Sequence, residues 1–215
     1  MLSSDKQMEA LMALFRSGTT LRYHKGEYIM RPGETPSGVF YIEEGFVKAF
    51  NISKYGEENL LIIRKEHEIF PLIWAITGQE REIIYQALSQ VTLRRVSRDD
   101  YLAFMRSHPS VLPPILDMVT EMYRLHSERL LNLEYRSVRE RLVSFLLTMS
   151  SRFGQETDNG VVIQVPLRHQ DIASSINSSR ETASRELAVL ERKGLVENKR
   201  SLITLKDIEK LQEYL

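Results

Sequence analysis

HQDIASSINSSRETASRELAVLERKGLV, residues 169–196, is the stretch on which the reading of this chain turns. Ile172, Ala173 and Ile176 share one face of a first helix over about Leu167–Ile176. Asn177 follows where the chain must turn sharply, and asparagine tolerates positive φ. Ser179 is an N-cap residue before a second helix, Ser179–Lys193. Ala183, Leu187 and Leu190 form that helix's inner face. Ala173 and Ala183 are small where two helices must cross closely. This pattern is a helix-turn-helix, whose second helix enters the major groove in DNA-binding proteins. Leu195–Leu205 reads as two short strands about Asn198–Ser201, so the unit is a winged helix-turn-helix.

The outward side of the second helix carries Arg180, Glu181, Ser184 and Arg185. Arginine can hold guanine O6 and N7 with two parallel hydrogen bonds, and a carboxylate can accept from cytosine N4. A good bidentate contact discriminates by about 1–3 kcal/mol. Ser179 and Thr182, with Arg168 and His169 on the first helix, are placed for phosphates. The alternative is a small-molecule-binding signalling module whose helical domain docks on protein. A docking helix would show apolar anchors where this one shows charge.

Outward from this segment, Ser137–Gly154 is an amphipathic helix closed by a glycine, GQETDNG is a polar stretch, Val161–Val165 a strand and Lys206–Leu215 a terminal helix. Before them lies a long helix. Its residues Leu116, Val119, Tyr123, His126, Leu130 and Leu133 alternate at three and four, a heptad seam. Met118, Met122 and Leu125 make the stripe too wide for one contact. One side should cover its own domain and the seam a second copy. From Thr19 to Val96 the chain has short β-branched and aromatic runs (VFYI, FVKAFNI, NLLIIR) between glycines at turn spacing, which suit a sandwich or small barrel. Ser97 caps a helix there, and a short amphipathic helix opens the chain.

The 215 residues hold 29 Lys+Arg, 29 Asp+Glu and no cysteine. Without cysteine there is no disulfide, thiolate nucleophile, iron–sulfur cluster or Cys-ligated zinc. The five histidines have no metal-binding spacing. No Ser–His–Asp set, P-loop or HExxH is present, so an enzyme is not expected. No apolar run suits a signal peptide or membrane span, and the expected compartment is the cytoplasm. Residues 137–215 carry 12 basic and 11 acidic side chains. DNA binding would therefore rest on a few placed arginines rather than on a basic domain.

With Pro32-Gly33-Glu34, Gly38-Val-Phe-Tyr-Ile42, the long helix and Ser179-Arg-Glu-Thr182…Arg185 on the page, the sequence resembles the cyclic-AMP receptor protein/fumarate-nitrate regulator family. The resemblance implies an α+β fold. A cyclic-nucleotide-binding-like β-roll would occupy residues 1–108, a dimerisation helix residues 109–136, and a winged helix-turn-helix domain residues 137–215. It implies a homodimer on double-stranded DNA, working with RNA polymerase. Arg180, Glu181 and Arg185, with Ser184, would read a palindromic TGTGA/TTGA-like operator. The sensor half departs from the family. Where cyclic-AMP binders have Gly-Glu-Leu and Arg-Ser, this chain has Phe70-Pro71-Leu72-Ile73-Trp74 and Arg81-Glu82. The ribose-binding acid is replaced by Leu72, and Glu82 would repel the cyclic phosphate. No cofactor is expected, cyclic AMP included. The expected effector pocket comprises Phe70, Leu72, Trp74, Arg81, Glu82 and Tyr123, with Ile76 and Ile84 beside them, and suits a non-nucleotide small molecule.

Overall fold

The computed structural model describes residues 2–199 and 201–215. The chain divides into two compact units. One runs to Asn51 and resumes over Leu61–His126; the other comprises Ile52–Leu60 and Ser127–Leu215.

In the first unit, α1 (Asp5–Arg16) opens with a capping box between Ser4 and Gln7. Eight strands follow: β1 (Thr19–Tyr23), β2 (Tyr28–Met30), β3 (Val39–Glu44), β4 (Val47–Ile52), β5 (Glu58–Arg64), β6 (Ile69–Phe70), β7 (Ile84–Ala87) and β8 (Val91–Val96). A short helix, α2 (Leu72–Thr77), interrupts them after β6, where the sequence signals only the pocket stretch. Then come α3 (Arg98–Ser107), a 3-10 turn over Pro109–Val111, and α4 (Leu112–Tyr135). Ser97 caps α3 by accepting from the Asp100 N–H.

The strands form two antiparallel sheets, β1-β8-β3-β6 and β2-β7-β4-β5. The register of β3 explains its unbroken apolar run. Phe40 and Ile42 pack between the sheets with Val47, Ala49 and Leu93. Val39 and Tyr41, pointing the other way, pack under Leu11, Phe15 and Tyr101 of the helices. Both faces are covered, so neither needs polar side chains, and each such residue contributes about 1.5–3 kcal/mol on burial. At the β3–β4 turn Gly45 has φ 92°, and a Cβ there would meet the Gln90 carbonyl oxygen at 2.2 Å.

α4 has the two faces its width implied. Ile115 is buried, Met118 and Val119 pack on the helix-side core, and Met122 and Leu125 on the inter-sheet core. Leu112, Leu116, Tyr123, Leu130, Leu131 and Tyr135 are exposed. Two expected seam positions also make contacts within the unit: Val119 is partly buried against the helix-side core, and His126, itself exposed, lines a cavity beside Met122. An ideal helix drifts from a strict heptad, so residues regular in sequence part company in space.

The second unit contains α5 (Val138–Phe153), β9 (Gly154–Thr157), β10 (Gly160–Ile163), α6 (His169–Ser175), α7 (Arg180–Arg192), β11 (Val196–Lys199), β12 (Leu202–Leu205) and α8 (Ile208–Gln212). Its sheet has the order β11-β12-β10-β9. The polar stretch after α5 forms β9, with Thr157 opposite Gly160. Gly154 ends α5 in extended conformation rather than as a left-handed cap. Glycine is required there by space: a Cβ would lie 2.2 Å from the Ser150 carbonyl oxygen and 2.5 Å from Val161 Cγ1. Arg200, in the turn of the expected wing, lies outside the described residues.

Candidate nucleic-acid interface and effector cavity

The helix pair is fixed by small residues, a left-handed turn and two braces. Asn177 takes φ 50°, and the Ser178 N–H donates to the Ala173 carbonyl at 3.0 Å. Ala173 and Ala183 are fully buried at the crossing. Asp171 is buried and accepts from the Arg168 N–H at 3.0 Å and from Arg168 Nε and Nη2 at 3.1 and 3.2 Å. The hydrogen bonds and charge of Asp171 raise the Arg168 pKa. On α7, Glu186 accepts from Arg139 Nε at 2.7 Å, which ties the helix to α5. Arg129 of α4 donates to the Ser175 carbonyl at the end of α6, at 3.1 Å.

This scaffold leaves Arg180, Glu181 and Arg185 exposed on α7. Glu186 lies 3.9 Å from Arg185 but 2.7 Å from Arg139, so its charge is largely claimed by α5. Arg180 also borders an open groove with Arg168, His169, Gln170, Asn198 and Ser201. The groove gathers donors from both helices and the wing with no carboxylate on its wall, which suits a phosphate.

Ser179 serves as the cap of α7. Its hydroxyl accepts from the Thr182 N–H and donates to Thr182 Oγ1, each at 3.1 Å. Its one donor is committed to the cap, so the hydroxyl left to meet a phosphate is that of Thr182. Ser184 is half-buried, and its oxygen lies 2.7 Å from His169 Nδ1. His169 Nε2 lies 3.3 Å from Asn198 Nδ2. Sequence reasoning missed Asn198, Asp171 and Glu186. The Arg168-x-x-Asp171 spacing could have found one of them, because residues three apart on a helix are neighbours.

A cavity of about 230 Å³ lies in the β-rich unit. Leu72, Trp74 and Arg81 line it, as do Arg64, Tyr85 and Met122, which the sequence did not single out. The other expected residues lie elsewhere. Phe70 is core, stacked against Phe40 and Tyr85 at 5.2 and 4.6 Å between ring centres. Ile84 is buried in strand β7, while Ile76, Glu82 and Tyr123 are exposed and outside the lining. Glu82 therefore does not repel an anion from within. Leu72 lines the cavity, at the position where the resemblance would put the ribose-binding acid. Burial pushes the Tyr85 phenol above its usual pKa. Among the described residues no three His, Asp or Glu side chains gather as a metal site.

Comparison with known proteins agrees with both halves. Residues 20–108 match the cyclic nucleotide-binding domain and residues 140–214 the Crp-like helix-turn-helix domain. The chain is 28% identical over 188 residues to the global nitrogen regulator of Synechococcus elongatus, covering 86% of this chain and 84% of that protein. Its fold is similar to a CooA mutant from Carboxydothermus hydrogenoformans, with a TM-score of 0.81 at 20% identity over 100% of this chain and 97% of that one. It is also similar to FixK2 from Bradyrhizobium japonicum, with a TM-score of 0.79 at 22% identity over 92% and 96%. A β-rich sensor-type unit, a long helix and a helix-turn-helix with exposed arginines place this chain in the cyclic-AMP receptor protein/fumarate-nitrate regulator family of DNA-binding transcription regulators, which are not enzymes.

Proposed function

We propose that the protein is a homodimeric, sequence-specific regulator that reads a palindromic TGTGA/TTGA-like operator and is controlled by a small molecule other than a cyclic nucleotide. The carrying observation is the trio Arg180, Glu181 and Arg185, exposed on α7 in a domain whose overall charge is nearly balanced. With so little net positive charge, non-specific binding is weak and affinity depends on placed contacts. Base reading falls to the trio with Ser184, and phosphate contact to Arg168 and Thr182, both ring nitrogens of His169 being engaged by Ser184 and Asn198. The exposed apolar residues of α4 support a second copy as partner. RNA polymerase is the expected protein partner and the cytoplasm the expected compartment; no helix among the described residues is long and apolar enough to cross a membrane.

Fluorescence anisotropy tests this reading. A duplex with two TGTGA half-sites one helical turn apart should bind far more tightly than a scrambled one. Arg185→Ala and Arg180→Ala should each cost about 1–3 kcal/mol on the operator and little on the scrambled duplex. Equal losses on both duplexes would make these arginines phosphate contacts and remove direct readout.

A further inference from the structure

We propose that the cavity of the β-rich unit binds a small organic monocarboxylate with an alkyl or arylalkyl body, and that this acid is the effector. The proposal rests on the small-molecule-controlled reading above and gives that molecule its chemical class.

The walls are mostly apolar, supplied by Leu61, Ile62, Leu72, Trp74, Ile83 and Met122. Against them stand two guanidiniums, Arg64 and Arg81, with the Tyr85 phenol and no carboxylate. Arg64 is buried, with 5% of its surface exposed. Its Nη1 meets Glu68 at 3.2 Å, its Nη2 meets the Met122 thioether at 3.1 Å, and the guanidinium also bonds the Tyr85 phenol. Its Nε is buried with no acceptor at all. A thioether is a weak acceptor and an unsatisfied buried N–H is costly, so the guanidinium has room for a further acceptor at Nε. Arg81, at the exposed edge, has no ion pair among the described residues. A carboxylate in the cavity would give Arg64 a further acceptor and Arg81 a counter-charge. The apolar walls would take a hydrocarbon tail. The cavity of about 230 Å³ has room for a small acid of this kind.

Trp74 is the only tryptophan of the chain and lines the cavity. Its carbonyl accepts from Arg98 Nε at 3.0 Å, which holds α2 against α3. Its fluorescence therefore reports occupancy. Full-length, DNA-free protein would be titrated with 3-phenylpropanoate and octanoate, then with 3-phenylpropanamide and cyclic AMP. The acids should give a saturable change, with the amide about tenfold or more weaker. Arg81→Gln should weaken the acids by about tenfold and leave the amide unchanged. Arg64→Lys should do likewise, its fold checked by thermal melting; exposed Arg81 carries the test if that variant fails to fold. Saturating acid should also shift operator affinity by about fivefold or more in either direction. No binding of either acid, equal binding of acid and amide, or tighter binding of cyclic AMP overturns the proposal. An unchanged operator affinity with the acid bound overturns the effector role. If the operator is never bound although the titration saturates, it is the regulator reading that fails.

Discussion

His169 shows how much depends on one proton. Asn198 Nδ2 is a donor, so His169 Nε2 opposite it accepts and Nδ1–H donates to the Ser184 oxygen. That leaves the Ser184 hydroxyl hydrogen aimed away from the imidazole and able to donate in the groove. Acceptors there are guanine O6 and N7, adenine N7 and thymine O4, whereas cytosine presents a donor. Ser184 should therefore discriminate against cytosine. Ser184→Ala is expected to level the four bases at one operator position, a loss of about 1 kcal/mol. His169→Ala, which frees the hydroxyl to rotate, should lose most of the same preference with little loss of overall affinity. Competition binding against the four variants of each half-site position measures both. A preference unchanged in His169→Ala would sink the orienting role. Arg180, Glu181 and Arg185 were legible in the sequence because helical period alone puts them outward. The donor committed by Ser179 and the orientation imposed by His169 were not, because hydrogen-bond direction depends on neighbours brought in by folding.

Element boundaries were legible where the chain carries its own punctuation. Ser97 and Ser179 cap α3 and α7 with side chains that accept from the third residue on, and Ser137 pairs with Glu140 in a capping box. β9 was illegible because an exposed edge strand needs only backbone pairing with β10, which its polar side chains do not advertise. α2 was missed because six residues show less than two helical turns of pattern. Gly154 read as a cap for the wrong reason, since helix end and close approach both call for glycine. Gly154→Ala drives a methyl into the Ser150 carbonyl and should cost about 1–3 kcal/mol or more by thermal or urea melting. A variant as stable as wild type would deny the close approach. A second element-scale effect concerns α4. Asp117 accepts from the Leu2 and Ser3 N–H groups at 2.8 Å and from the Ser3 hydroxyl at 2.6 Å. Those bonds hold its carboxyl below the usual 3.8. With the folded pKa depressed, the tether is fully present above about pH 3.8 and is lost as pH falls toward the lowered value. Proteolysis of the N-terminal segment should accelerate in Asp117→Asn at neutral pH, and in wild type only below that point.

At the scale of the whole molecule, the exposed face of α4 calls for a partner. Leu116, Tyr123 and Leu130 are 51, 74 and 64% exposed, with Leu112, Leu131 and Tyr135 beside them. A row of large apolar side chains along one long helix is more than scattered surface leucines, and it marks an interaction face. In the dimer proposed above, a second copy would cover it symmetrically, each residue meeting its own counterpart or a near neighbour. The operator reading needs that copy, because one recognition helix reads only one half-site. Dimerisation and DNA affinity should therefore fail together. Leu130→Glu removes two buried leucines per dimer, at about 1.5–3 kcal/mol each, and sets two carboxylates against each other. Sedimentation equilibrium should show its dimer dissociation constant raised by more than about a hundredfold. Affinity for the palindrome should fall to that for an isolated half-site. Gln170→Ala, exposed on α6, should leave the dimer intact. A Leu130→Glu protein that stays dimeric and keeps wild-type operator affinity would move the interface off α4. One that becomes monomeric yet still binds the palindrome at wild-type affinity would break the link between dimer and operator, and with it the two-half-site reading.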